Sequence, residues 1–232
     1  KLSSLTSSEM AKIMENSYRA VNIAFIEEWA RFSEKIGTNS FEIINAIRKR
    51  PTHSNIRQPG FGVGGYCLTK DPYFASLSAR QIFNVKSLDF PFSELAVSTN
   101  DKMPIENVKM LKKVIKTIKN KNILLLGATY RSEVDDLRNS PSEIFVSEIL
   151  KLGAKVDVHD PYVKKWDVFK IKILNTMPVI NKYDAVVLAV SHKFYTNFKF
   201  IEWIGKTGII FMDANNILSE KIYNKIKKNG NK

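Results

Sequence analysis

The chain has 232 residues and a formal net charge of +13 at pH 7, with 44% hydrophobic and 11% aromatic residues. That composition excludes a disordered chain and suffices for one large domain or two modest ones. One cysteine excludes an intramolecular disulfide, three scattered histidines (His53, His159, His192) give no metal signature, and no apolar run reaches the ~18–20 residues of a membrane span.

The positive charge is spread along the chain and no nucleic-acid motif accompanies it, so it points to a lysine-rich surface or an anionic ligand, not to nucleic acid. The terminal KIKKNGNK reads as a frayed tail. The N-terminus lacks the apolar core of a signal peptide, and the chain is expected to be soluble and cytoplasmic, with no membrane partner.

Residues 9–36 read as one long helix. Ile13, Tyr18, Val21, Phe25, Trp29, Phe32 and Ile36 recur at three- and four-residue steps, Ser7 or Ser8 offers a cap, and Gly37 closes it. Residues 40–49 form a second, short helix. RPTHSNIRQPGFGVGGY has two prolines and four of its glycines clustered at the end, the composition of a loop. Helix resumes near Asp71-Pro72, with Asp71 as cap and Pro72 at the first helical position. Residues 91–118 are mostly helical, with a break near Met103-Pro104.

From residue 121 the texture changes. KNILLLGA, AKVDVHDP, YDAVVLAVS and GIIFMDA read as strands, and SPSEIFVSEILKLG as a helix between the first two. Strands alternating with helices imply right-handed crossovers and a mainly parallel sheet. The expected class is α/β: an all-helical part over residues 1–118, joined by a long helix to a Rossmann-like part over 119–232.

GFGVGGYCLTKD raises the chemical question. Its first six residues match G-x-G-x-x-G, the dinucleotide fingerprint. That motif works only between a strand and a helix, where amides at a helix N-terminus meet a pyrophosphate. Here a polar, proline-containing stretch precedes it, so the dinucleotide reading fails. The glycines instead permit unusual backbone and close ligand approach. They deliver Cys67 just before a helix with Lys70 nearby, a setting that favours the thiolate of a nucleophile over a buried filler cysteine.

GFGVGGYCLTKDP resembles the catalytic-cysteine segment of the UDP-glucose/GDP-mannose dehydrogenase family. AKIMENSYRAVNIAFIEEWA is similar to that family's central helix, and GATYRSEVDDLRNSP, VHDPYV and DAVVLAVSH are similar to its nucleotide-sugar-binding domain. The three motifs occur in the family's order over nearly the whole chain. The resemblance implies an NAD-dependent oxidation of the C6 alcohol of a UDP-sugar to the acid. It also implies a homodimer through the central helices, and NAD held mainly by an N-terminal domain that this sequence does not contain. Two departures stand out: Asn215 occupies the position of the family's usual arginine, and Arg131 that of a lysine.

On that resemblance, Cys67 is the nucleophile that forms a thiohemiacetal and then a thioester. Lys12 and Asn16, one helical turn apart, form an oxyanion pair, and Asp71 orients a water or tunes Lys12. Asn55, Arg57, Phe61, Gly62, Gly64, Tyr66, Tyr130, Arg131 and Arg138 are expected to contact the substrate, and Lys70 the cofactor. The sugar stays open between glucose and an N-acetylhexosamine. The rival readings are a non-catalytic nucleotide-sugar-binding or dimerisation module and an unrelated cysteine hydrolase.

Overall fold

A computed structural model describes residues 1–231, which divide into two compact units, one over residues 1–103 and one that begins at Pro104. The first unit is helical: α1 (Leu5–Ile36), α2 (Ser40–Ile47), a 3-10 turn (Pro51–His53), α3 (Asp71–Gln81) and most of α4 (Pro91–Ile115). α4 continues from the first unit into the second.

Three local expectations are corrected. α1 starts earlier, because the Ser4 hydroxyl accepts the Ser7 amide at 3.0 Å and is the actual cap. Asp71 is the first residue of α3, not its cap; its carboxylate is spent on other partners. α4 does not break at Pro104 but runs through it, since a proline removes only one donor from an otherwise favourable helical sequence.

The larger departure concerns which side of α1 faces inward. Ala20, Ile23 and Ile26 are buried, whereas Tyr18, Phe25, Trp29, Phe32 and Ile36 are each more than half exposed. The periodicity identified the helix, but its largest apolar residues lie on the outer face.

The second unit holds a four-stranded parallel sheet of β1 (Asn122–Leu126), β2 (Lys155–His159), β5 (Ala185–Leu188) and β6 (Ile210–Asp213), in the order β2-β1-β5-β6. β1 and β5 are almost completely buried, as parallel strands covered on both faces require. α5 (Pro141–Lys151) crosses from β1 to β2. A small antiparallel hairpin, β3 (Lys165–Trp166) with β4 (Ile171–Lys172), follows β2. Short helices α6 (Lys193–Thr196) and α7 (Phe200–Ile204) lie between β5 and β6.

α8 (Glu220–Lys228) occupies the place expected of a frayed tail: Ile226 is buried in the core with Ile222 packed against it, while its lysines face outward. Chain order turns leftward from β1 to β2 and then returns to the far side of β1 at β5. The C-terminal ends of β1 and β5 therefore flank the topological switch point, where open α/β sheets bind ligands.

Gly127, directly after β1, sits at φ +102, and a Cβ there would lie 2.4 Å from the Val190 Cβ. Only glycine lets the segments after β1 and β5 approach this closely.

Candidate functional site

In the first unit, the glycine loop is built as a rigid presenter of Cys67. Gly62 takes φ +103, closed to side-chain-bearing residues. Next to it, the Asn100 carboxamide accepts the Val63 N–H and donates to the Val63 carbonyl, both at 2.8 Å. Leu68 is buried with Ile23 of α1 and Met103 of α4, and Val63 packs on the same cluster. Phe61 is 2% exposed and serves as a core anchor of the loop. Cys67, between these anchors, is exposed. It lies in the turn leading into α3, whose Lys70 N–H reaches back to the Tyr66 carbonyl at 3.2 Å.

Beside the loop, Asn16 is completely buried in α1 and donates from Nδ2 to Asp71 Oδ2 at 2.8 Å. Lys70 Nζ pairs with the other oxygen, Asp71 Oδ1, at 3.0 Å, and lies 4.4 Å from the Phe74 ring centroid. The Oδ1 of Asn16 has no partner. A buried carbonyl oxygen without a donor is costly and marks a position where an incoming hydroxyl or water gains a hydrogen bond.

The structure thus brings Asn16, Asp71 and Lys70 together, while Lys12 pairs with Glu15 at 3.3 Å on an exposed part of α1. Asn55 donates to the Tyr18 hydroxyl at 3.0 Å, and the Arg57 amide to Asn22 Oδ1 at 3.1 Å, so this stretch is tied to α1. Tyr66 is 46% exposed beside Cys67, and Gly64 is partly buried. Asn100 and Asn22 escaped sequence reasoning, because one asparagine in a helix carries no spacing signal and its partner is a distant backbone.

In the second unit the candidate residues gather after β1. Tyr130 donates its N–H to the Asp136 carbonyl at 3.0 Å, closing the loop on itself. Arg138 Nε bonds both Asp136 oxygens, at 3.0 and 2.9 Å, and this guanidinium holds Asp136 below the usual carboxylate range. Arg138 is therefore an ion-pair partner within the loop, although its side chain, like that of Arg131, is exposed.

Asp160, fully buried after β2, accepts N–H bonds from Ala128 and Thr129 at Oδ2 and from Tyr162 and Val163 at Oδ1. Burial pushes its pKa up, but the His192 bond and these amides outweigh it and hold the carboxyl below its ordinary value. Asn215 donates to the Ala189 carbonyl at 2.6 Å, tying the turn after β6 to the end of β5. In that turn the Asp213 carboxyl is raised by burial.

No group of three or more His, Cys, Asp or Glu residues suited to a metal occurs among the described residues, nor a helix long and apolar enough to cross a membrane. The glycine loop follows a turn and not a strand, so its surroundings do not fit a dinucleotide.

Residues 6–102 match the central domain, and residues 124–220 the UDP binding domain, of the UDP-glucose/GDP-mannose dehydrogenase family. The chain is 36% identical, over 97% of its length, to a UDP-N-acetyl-D-mannosamine dehydrogenase of Methanocaldococcus jannaschii, of which it covers 50%. Its fold resembles the crystal structure of an NDP-N-acetyl-D-galactosaminuronic acid dehydrogenase from Methanosarcina mazei Go1 with a TM-score of 0.85 at 29% identity, covering 98% of this chain and 50% of that one. A UDP-D-ManNAc dehydrogenase from Pyrococcus horikoshii gives 0.76 at 32% identity, covering 93% and 49%. The chain spans about half the length of the relatives it matches. With both domain models matched in order and the fold shared, the chain belongs to the UDP-glucose/GDP-mannose dehydrogenase family.

Proposed function

We propose that this chain carries the substrate-holding and acyl-forming part of an NAD-dependent UDP-sugar 6-dehydrogenase of the UDP-N-acetylhexosamine type, in the synthesis of polysaccharide precursors. The observation that carries the reading is the arrangement of an exposed Cys67 on a clamped loop beside the buried Asn16–Asp71 pair. The N-acetylhexosamine preference rests on the names of the relatives.

In this reading the Cys67 thiolate adds to the C6 aldehyde carbon, forming a carbon–sulfur bond and an oxyanion. The second Nδ2 hydrogen of Asn16 and the Lys12 ammonium stabilise that oxygen, with Lys12 turning from Glu15 toward it. Once the carbon has been oxidised, water oriented by Asp71 attacks the thioester; the acid leaves and the thiolate returns. NAD accepts the hydrides when bound, but the glycine loop does not fit it, and from the residues described only Lys70 is assigned to its vicinity.

Asn55, Arg57, Phe61, Gly62, Gly64 and Tyr66 shape the sugar side of the substrate site, Phe61 from beneath. Within the second unit, Tyr130, Arg131 and Arg138 are the candidates for holding the nucleotide, with Arg131 as the direct diphosphate contact. The outward aromatic face of α1 joins two copies into a homodimer.

Calorimetric titration with UDP, UDP-glucose, UDP-N-acetylmannosamine and NAD⁺ tests this. Binding of UDP-N-acetylmannosamine in preference to UDP-glucose is expected. Binding of NAD⁺ alone overturns the reading. In the enzyme that includes this chain, Cys67→Ser should abolish acid formation; retained acid formation removes Cys67 from its role.

A further inference from the structure

The segment after β5 carries a buried histidine that the proposed chemistry does not use. His192 is 0% exposed, and its two ring nitrogens have different partners. Nδ1 lies 3.0 Å from the Glu133 N–H, which can only donate. Nδ1 is therefore the unprotonated nitrogen, and Nε2 carries the hydrogen. Nε2 lies 3.1 Å from Thr129 Oγ1 and 3.2 Å from Asp160 Oδ2, both acceptors. With Oγ1 accepting from His192, the Thr129 hydroxyl donates its own hydrogen to the Arg131 carbonyl at 2.9 Å. Every proton in this chain of bonds is accounted for by one tautomer.

The bonds cross the switch-point crevice. Glu133 and Arg131 belong to the segment after β1; His192 and Lys193 follow β5. A second bond doubles the tie, as the Lys193 N–H donates to Glu133 Oε1 at 2.8 Å. Glu133 itself sits at φ +63, a left-handed conformation that a side-chain-bearing residue does not prefer. Its backbone is held there by contacts rather than by its own preference. The residue so held stands two positions after Arg131, whose carbonyl the same network grips.

We infer that His192, through the Glu133 amide, is a positioning residue that fixes the Arg131 segment across the crevice for a nucleotide diphosphate. This rests on the proposed nucleotide site and adds to it the residue that sets its shape. Asp160 orients His192 from below, and Tyr162 covers its ring at 4.9 Å between centroids.

Two substitutions separate this role from a merely structural one. His192→Asn retains an acceptor near the Nδ1 position for the Glu133 amide and gives up the bond to Asp160. His192→Gln does the reverse, placing its amide near Nε2. UDP is titrated calorimetrically into wild type and both variants. The Gln variant is expected to bind UDP about tenfold more weakly, the equivalent of one lost buried hydrogen bond, and the Asn variant close to wild type. Equal weakening in both variants, or weakening in the Asn variant alone, overturns the positioning role. Wild type that fails to bind UDP overturns the nucleotide site itself, and with it this assignment. Independently of ligand and of variant folding, ¹⁵N NMR of the wild-type histidines is expected to show His192 protonated at Nε2; a proton on Nδ1 at neutral pH overturns the inference.

Discussion

The side chain of Asn100 holds the backbone of Val63 at both ends, donating to its carbonyl and accepting its amide at 2.8 Å each. This pairing imitates one rung of a sheet between a helix side chain and a loop. It sits three residues before Met103, which packs on Leu68 beside Cys67. Asn100→Ala removes both bonds and leaves a partly buried N–H and C=O unpaired, at a cost of roughly 1 kcal/mol for each group. The variant should lose about 2 kcal/mol or more in urea unfolding. Its Cys67 should also react less selectively, losing any protection from alkylation by UDP-sugar. Unchanged stability would show that the loop keeps its shape without the clamp.

Asn16 and Asp71 give the second prediction. Asn16→Asp sets a carboxylate against a carboxylate at a position that is completely buried. One of the two must take a proton or the pair must separate. Stability should fall at neutral pH and recover as pH drops below about 5, the opposite of ordinary acid destabilisation. Unfolding of the variant and of wild type across that range checks it. Asn16→Leu should lose the hydrogen bond without this pH dependence, so equal profiles for the two variants would count against a direct contact.

Asp160 gives the third. It takes four backbone amides and the His192 ring, which together hold its carboxyl below the ordinary aspartate value although burial pushes it up. A carboxylate whose pKa is depressed by folding contributes stability that is full above the unfolded value and is lost as pH falls through the folded one. Asp136, Asp157 and Asp184 shift in the same direction. Asp160→Asn should therefore be markedly less stable than wild type at pH about 7, with the gap narrowing below about 4 as the wild-type carboxylate protonates. A gap independent of pH would mean that packing, not charge, is what the aspartate contributes.

Where sequence and structure agree, the reason is local. β1 and β5 are short, largely apolar runs followed by Gly127 or Ala189, a pattern that fits buried parallel strands. The loop around Cys67 was legible because glycine and proline act on the backbone they occupy. The rest depended on distant partners. Asn100 and His192 are single polar residues whose significance appears only when Val63 and Glu133 are brought to them. α8 was missed because lysines outnumber apolar residues there, although Ile222 and Ile226, four apart, suffice to fix its inner face. Pro104 suggested a break because the missing donor is visible in sequence, while the compensating context of α4 is not.

The outer face of α1 yields the last prediction. Phe25, Trp29 and Phe32 are 53–54% exposed; Phe25 meets Trp29 at a tilt and Trp29 meets Phe32 edge-on, with ring centroids 6.3 and 6.2 Å apart. Met10, Met14, Tyr18 and Ile36 extend the exposed apolar surface along the helix. Contiguous aromatic surface of this kind marks an interface, and large aromatics near the centre of an interface carry most of its energy. If this face joins two copies of the chain, Trp29→Glu places two charges at the contact and removes its central ring. Dimer dissociation should then be favoured by more than about 2 kcal/mol, a weakening of roughly thirtyfold or greater. Sedimentation velocity across a concentration series reads this directly. The circular dichroism of the variant should stay unchanged, since Ala20, Ile23 and Ile26 on the inner face keep the helix docked. A wild-type chain that sediments as a monomer at all concentrations, or a variant that dimerises as well as wild type, would exclude the α1 face as the contact.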